Sequence, residues 1–341
     1  LRQQPEWIAR QAARQVVVLP RLVTRTTEVF GLATGQRFTI IEATDFSLYE
    51  DHLRGLDIDP VLTQRAAVGF NMVRIFGMGL IGFPDKPMRL NPAEHGDRYF
   101  TELPAFFQRL AKHGLYGEFT AFAASSRTMP DPAQQLAYWG RLTQAVAAIT
   151  NVILELGNEL DQPDNVLAAL AQIPRPPPPL FASHGSNGSQ QIAVRPAWDY
   201  ETFHTNDASE WQRKVGHNAM ELSIGAEQLP ASHVPVVANE NTRGPDRFNS
   251  TALAFDAAAG GALLAAGSCF HSFHGRTSSP WDAQELALAR AWVAGATSVP
   301  LSCQDGAYRH SQNEIDEENR GGYLRVYQRG NQPECRVRIR R

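Results

Sequence analysis

The chain has 341 residues, 43% of them hydrophobic and 20% charged, which excludes a disordered polypeptide and is enough for one large core. A formal net charge of −3 and a sequence pI of about 6.4 give no general attraction for nucleic acid or an anionic membrane surface. No apolar run reaches the roughly 18 residues of a membrane-crossing helix.

Three cysteines, Cys269, Cys303 and Cys335, lack metal-ligand spacing. Their odd number allows at most one disulfide, so a disulfide-dense scaffold is excluded. The opening residues carry no leader pattern; secretion is favoured if a leader has been removed, and the compartment is otherwise open.

Along the chain, short β-branched runs ending in polar residues alternate with Ala- and Leu-rich helical stretches, the pattern of a parallel α/β sheet. The first strand is expected at 38–44, after the turn-bearing 29–36. The second falls at 71–76, after a helix near 59–68, and the third at 115–121, after an amphipathic helix over 99–113. A long helix at 132–149 leads to strand four at 152–156. A helix at 164–172 ends in the Pro-rich tract 174–179, which cannot continue it and reads as a stiff connector. Strands five and six follow at 180–184 and 200–205, then a helix at 209–224 and strand seven at 234–239. A helix at 250–259, strand eight at 267–273 and a helix at 280–294 complete the series.

Such a series, about 260 residues long, predicts a (β/α)8 TIM barrel over 38–297 with short N-terminal and C-terminal β additions. Residues 1–37 are expected to pack on the barrel. Residues 298–341 hold a hairpin, 323–328 against 335–340, too small for a core of its own. The alternating Arg residues of 336–341 fit the solvent face of an edge strand better than a phosphate clamp.

Barrel active sites lie at the carboxyl ends of the strands. The polar residues expected there are Arg74 on strand two, Asn158 and Glu159 on strand four, His184 on strand five, His204 on strand six, Asn239 and Glu240 on strand seven, and His271 on strand eight. Glu159 and Glu240 would face each other across the mouth. Glycoside cleavage needs such a pair, one acid to protonate the leaving oxygen and one to attack or to activate water. Glu155 shares strand parity with Glu159 and reads as a buried, hydrogen-bonded structural acid. His271 and His274 sit at odd spacing and so on opposite faces, and strand one has no His-x-His, so no metal or other cofactor is expected.

The run Val-Ile-Leu-Glu-Leu-Gly-Asn-Glu at 152–159 resembles the strand-four signature of clan A glycoside hydrolases, especially the family-five cellulase and mannanase group. The resemblance implies that Glu159 is the acid/base and that Asn158 binds the sugar 2-hydroxyl. Residues 234–240 are similar to the strand-seven segment whose Glu, here Glu240, is the nucleophile. Arg74, within 70–76, matches the strand-two Arg that keeps that nucleophile ionised. Residues 199–204 resemble the strand-six segment, which implies His204 near the nucleophile, and 31–38 resemble the short strand leading into the first barrel strand. The likeness spans roughly 28–295.

There are departures. Leu160 stands where the family usually has Pro, and the end of strand three lacks the His often found there. Strand eight offers Phe-His-Ser-Phe-His at 270–274 where a sugar-stacking Trp is common, with Trp281 as the substitute.

The reading is a retaining O-glycoside hydrolase acting on a β-linked poly- or oligosaccharide with two Glu, without a nucleic-acid or membrane partner. The alternative is a catalytically inactive TIM-barrel protein that binds carbohydrate or serves a structural role. A third is a barrel hydrolase or lyase on non-sugar substrates. Locally, Glu159 competes with a helix-first-turn role, Glu240 with a plain loop residue, and His204 and the weaker His184 with satisfied core histidines.

Overall fold

The computed structural model describes residues 16–26, 29–36, 38, 40–81, 88–160, 162–185, 198–204, 236–240, 270–274, 280–297, 308–309, 323–328 and 335–338. An antiparallel pair, β1 (Leu22–Thr26) and β2 (Val29–Leu32), precedes β3 (Ile40–Thr44). Helices α1 (Leu48–Leu53) and α2 (Asp59–Val68) lead to β4 (Met72–Phe76), then the small hairpin β5 (Gly79–Ile81) and β6 (Met88–Leu90). Three helices follow, α3 (Pro92–His95), α4 (Asp97–Thr101) and α5 (Leu103–Lys112), and then β7 (Tyr116–Phe122). Next are α6 (Ser125–Thr128), α7 (Pro132–Val146), β8 (Val152–Gly157) and β9 (Ala182–Gly185). The remaining elements are β10 (Glu201–His204), β11 (Val236–Glu240), β12 (Phe270–His274), α8 (Ala283–Thr297), β13 (Tyr308–Arg309), β14 (Tyr323–Gln328) and β15 (Cys335–Arg338).

Six strands form one parallel sheet in the order β12-β3-β4-β7-β8-β9, and β10 pairs with β11 in parallel. The two arcs abut, with β10 beside β9 and β11 beside β12. Asp199 stitches one seam: its N–H donates to the Ala182 carbonyl (2.9 Å) and its carboxylate accepts from the Ala182 N–H (3.0 Å). Each of the eight expected strands is therefore present, six in one parallel sheet and two in a separate parallel pair. The C-terminal hairpin also forms, Leu324 opposite Val337, with β13 added at its edge.

Two helix expectations are corrected. The helix expected over 99–113 is two, α4 and α5, because Pro104 lacks an N–H and its ring crowds the carbonyl of Phe100. The helix expected over 164–172 is only a 3-10 turn, Pro163–Asn165. The Asn165 carbonyl accepts from Ser125 Oγ (2.9 Å) and the Ala169 N–H donates to Gln135 Oε1 (2.8 Å). These two groups would have bonded each other in a helix, and α6 and α7 have taken both. The helices expected at 209–224 and 250–259, and Cys269 and Cys303, lie outside the described residues. No helix among the described residues is long and apolar enough to cross a membrane.

Strand parity divides the core. Ile41, Ala43, Val73, Ile75, Phe119, Leu154 and Ala182 face the helices, where α5 buries Phe106, Phe107 and Leu110 at helical spacing. Each such Phe contributes about 2–3 kcal/mol by burial. On the opposite face, Ile40, Met72, Tyr116, Ile153 and Phe181 form an apolar floor together with Leu22 of β1 and Tyr200. Tyr116 OH donates to the Pro20 carbonyl (2.6 Å), so the segment before β1 seals that end.

At the other end β8 and β9 converge. Gly185 has φ +101°, and a Cβ there would lie 1.8 Å from the Gly157 carbonyl oxygen. Gly185→Ala is expected to cost about 2 kcal/mol or more, through left-handed strain and this backbone clash. Chemical denaturation checks it, and an unchanged unfolding midpoint would contradict the close approach.

Candidate active site

Above the apolar floor the same face turns polar. Glu42 on β3, Arg74 on β4, Glu118 on β7, Glu155 on β8 and Asn239 on β11 are each fully buried. Arg74 and Glu118 are direct register partners, as are Thr120 and Glu155. Arg74 donates to Glu155 Oε2 from Nε (3.0 Å) and Nη2 (2.6 Å), and its Nε lies 3.6 Å from Glu118 Oε2. Thr120 Oγ1 adds a third donor to Glu155 Oε2 (2.6 Å). Glu155 is thus the buried, hydrogen-bonded acid expected from parity.

Asn239 Nδ2 donates to Glu155 Oε1 (2.9 Å) and to Glu118 Oε2 (3.1 Å). Tyr200 OH donates to Glu118 Oε1 (2.8 Å), its ring stacked on Phe181 at 5.3 Å. Among the described residues, neither Glu42 oxygen has a hydrogen-bond partner within normal distance.

Burial dominates the titration of this layer. Desolvation and then the Glu155 charge push Glu118 from an ordinary 4.5 up to about 7, against the opposing pull of Arg74, Tyr200 and Asn239. Glu42 is pushed well above the usual range by burial and the Glu118 charge, with Arg74 opposing. A carboxyl that holds its proton more tightly folded than unfolded destabilises the fold as pH rises between those two values. Between pH 4.5 and about 7 Glu118 is therefore expected to remove on the order of 2–3 kcal/mol. Glu118→Gln should flatten the fall of melting temperature over that window, and parallel curves for the two proteins would contradict the assignment.

The strand ends stand on this layer. Asn158, directly after β8, accepts from Arg74 Nη2 through Oδ1 (2.9 Å), and its N–H donates to the Phe122 carbonyl (2.9 Å). The donor on Arg74 fixes the Asn158 amide, leaving Nδ2 directed elsewhere. Glu159 follows with φ +46° and is 9% exposed. Left-handed backbone at a non-glycine residue costs about 1–2 kcal/mol. Glu159→Gly is accordingly expected to be more stable than Glu159→Ala by about 1 kcal/mol, since only Gly relieves that strain. Equal stability of the two variants would contradict it.

On β11 the pairing with β10 runs Phe203 with Ala238 and then His204 with Glu240, so Asn239 is passed over in a bulge. Bulges re-aim the chain near functional sites. The side chains of Glu240, His204 and His271 lie outside the described residues. By register His271 pairs with Ile41, and Phe270, Ser272 and His274 pair with Ile40, Glu42 and Thr44.

Arg74 and Asn158 meet through the Nη2–Oδ1 hydrogen bond, and Glu159 follows Asn158 directly in the chain. Two other expected site residues are placed elsewhere. His184 shares parity with Ala182 of the helix-facing core, and its ring sits 4.1 Å from Trp198, itself 5.9 Å from Trp139 of α7. Trp281 is 4% exposed, with the Arg65 guanidinium 3.2 Å above its ring and Phe70 at its edge. Arg65 is held in turn by both oxygens of buried Asp45 (2.8 and 2.9 Å). Trp281 thus packs against Gln64 and Arg65 of α2 and against Phe70. Glu42 and Glu118 were missing from the expected site, whereas Asn239, expected at the end of strand seven, is buried in the layer. The signal for Glu42 and Glu118 is an acid of the same parity inside fully buried strands. No group of three or more His, Cys, Asp and Glu among the described residues is arranged to hold a metal ion.

No family model matches the sequence, and no curated protein matches it either. Solved structures do match. A family 5 glycoside hydrolase from Bacteroides vulgatus aligns over 76% of this chain and 64% of its own, at 14% identity and TM-score 0.58. An exo-β-1,4-mannosidase from Opitutaceae bacterium strain TAV5 aligns over 83% and 63%, at 16% identity and TM-score 0.58. The catalytic domain of a Thermobifida fusca endoglucanase, solved with cellotetraose, aligns over 80% and 97%, at 10% identity and TM-score 0.55. The chain thus spans just under two thirds of the length of the first two of these and nearly all of the third. By its strand order and by these likenesses, the chain resembles in fold the family 5 glycoside hydrolases of clan A.

Proposed function

We propose that the two parallel arcs close into a (β/α)8 barrel whose mouth hydrolyses β-linked glycosides with retention of anomeric configuration. The observation that carries this reading is the shared anchorage of two asparagines. Asn158 and Asn239 lodge their amides on one Arg74–Glu155–Glu118 layer, and each directly precedes a glutamate at a strand end. That anchorage supports a site in which Glu159 and Glu240 are carried over the same layer from opposite sides.

In this mechanism Glu240 attacks the anomeric carbon while Glu159 gives its proton to the departing glycosidic oxygen. Water then attacks the glycosyl-enzyme, its proton returns to Glu159, and Glu240 leaves as a carboxylate. Asn158 Nδ2 is free to donate to the sugar 2-hydroxyl because Oδ1 faces Arg74. His204, paired with Glu240 in the strand register, is proposed to orient it. The fold neighbours point to β-mannosides and β-glucosides as first substrates.

The test is hydrolysis of aryl β-mannosides, aryl β-glucosides and the corresponding β-1,4-oligosaccharides, followed by proton NMR of the first-formed sugar. The β-anomer is expected first. Release of the α-anomer would overturn the retaining mechanism. Binding without turnover across the panel would favour the non-catalytic alternative.

A further inference from the structure

We propose that Glu118, buried on β7 beneath the strand ends, is a positioning residue that sets the placement of Glu240 through the bulge residue Asn239. The proposal rests on the double-displacement reading for its catalytic consequence, but its geometry is independent of that reading.

Asn239 is the residue passed over in the β10–β11 register, so its backbone is not held by that ladder as its neighbours are. Its side chain is fully buried, and its Nδ2 meets two carboxylates, Glu118 Oε2 at 3.1 Å and Glu155 Oε1 at 2.9 Å. An amide nitrogen has two hydrogens, and here each faces an acceptor. A flipped amide would set Oδ1 against both carboxylates, so the pair fixes the orientation of Asn239.

The two carboxylates are not equivalent. Glu155 is held independently by Arg74 and Thr120 and stays in place whatever Asn239 does. Glu118 is held by Tyr200 OH and lies farther from Arg74, so its second function is the clamp on Asn239. Removing the Glu118 acceptor frees one Nδ2 hydrogen, lets the amide rotate about Glu155, and loosens the bulge immediately before Glu240. The charged groups facing Glu118 from the packed strands are Arg74, Glu155 and Glu42. Among the described residues Glu118 hydrogen-bonds Tyr200 and Asn239, so its path to the substrate runs through Asn239.

Two variants separate positioning from bulk structure. Glu118→Gln keeps a carbonyl acceptor for Asn239; Glu118→Leu keeps the size and removes it. The first readout is the rate at which a 2-deoxy-2-fluoro aryl glycoside labels the protein, together with kcat and KM. The second needs no activity: selective 15N-Asn labelling and hydrogen exchange of the Asn239 side-chain amide, identified by its loss in Asn239→Asp. Slow Asn239 exchange is expected in wild type and in Glu118→Gln, and at least tenfold faster exchange in Glu118→Leu. Labelling and kcat should fall roughly 30-fold in Glu118→Leu with KM within about threefold, and within about threefold of wild type in Glu118→Gln. Unchanged exchange and labelling in a folded Glu118→Leu would overturn the proposal. So would equal losses in both variants that track melting temperature. If wild type turns over no glycoside, the double-displacement reading fails, and the exchange measurement alone still decides the role of Glu118.

Discussion

Glu240→Gln is expected to lower kcat/KM on an aryl β-glycoside by on the order of ten-thousandfold or more, with the melting temperature little changed. Glutamine keeps the shape but cannot form the glycosyl ester. Glu159→Ala should behave differently, because an acid matters in proportion to how poor the leaving group is. On an activated dinitrophenyl glycoside the first step should be nearly intact and the glycosyl-enzyme should accumulate, since no base remains to activate water. On an oligosaccharide, loss should approach that of Glu240→Gln. Added azide, which needs no base, should restore turnover of the activated substrate as a β-glycosyl azide. Equal loss on both substrates, with no azide rescue, would contradict the acid/base assignment.

The second large effect is on stability. Arg74 is the cation that the described residues place against Glu155 and Glu118, and all three are fully buried. Arg74→Met strips that compensation from a low-dielectric layer and should destabilise the protein by about 3–5 kcal/mol. The loss should be smaller at pH 5 than at pH 8, because the abandoned carboxylates can take up protons instead. Arg74→Lys should rescue only part of it. A single ammonium cannot reproduce the fork that bonds Glu155 with Nε and Nη2 while reaching Asn158. Urea denaturation at the two pH values measures both effects, and a pH-independent loss below about 1 kcal/mol would contradict a charge-compensating role.

Much of this was legible in the residues. The β-branched runs place the eight strands, and Arg74 and Asn158, both expected at strand ends, meet through a hydrogen bond. Parity alone marked Glu155 as buried and bonded. Glu42 and Glu118 sat in view, each an acid inside a strand whose every residue is buried, where a charge demands a partner. Strand runs treated one at a time do not reveal that partner, because Arg74 lies on a neighbouring strand in register.

Other features depend on tertiary choices. The expected helix after strand four is undone by side chains of α6 and α7, which no local propensity encodes. His184 falls at a strand end, but its parity turns it toward Trp198 and the helices. Trp281 follows strand eight closely in sequence, yet Arg65, more than two hundred residues earlier, claims its ring. The bulge at Asn239 is likewise a product of pairing, since nothing in Val-Val-Ala-Asn-Glu announces a skipped residue.

The measurement closest to the central proposal is the separation of the Glu159 and Glu240 carboxyl groups in a crystal structure of the protein with a bound sugar. The account predicts about 5–5.5 Å, with the anomeric carbon between them and both groups at the carboxyl ends of the strands. A separation of about 9 Å or more, or carboxyl groups at opposite ends of the sheet, would contradict it.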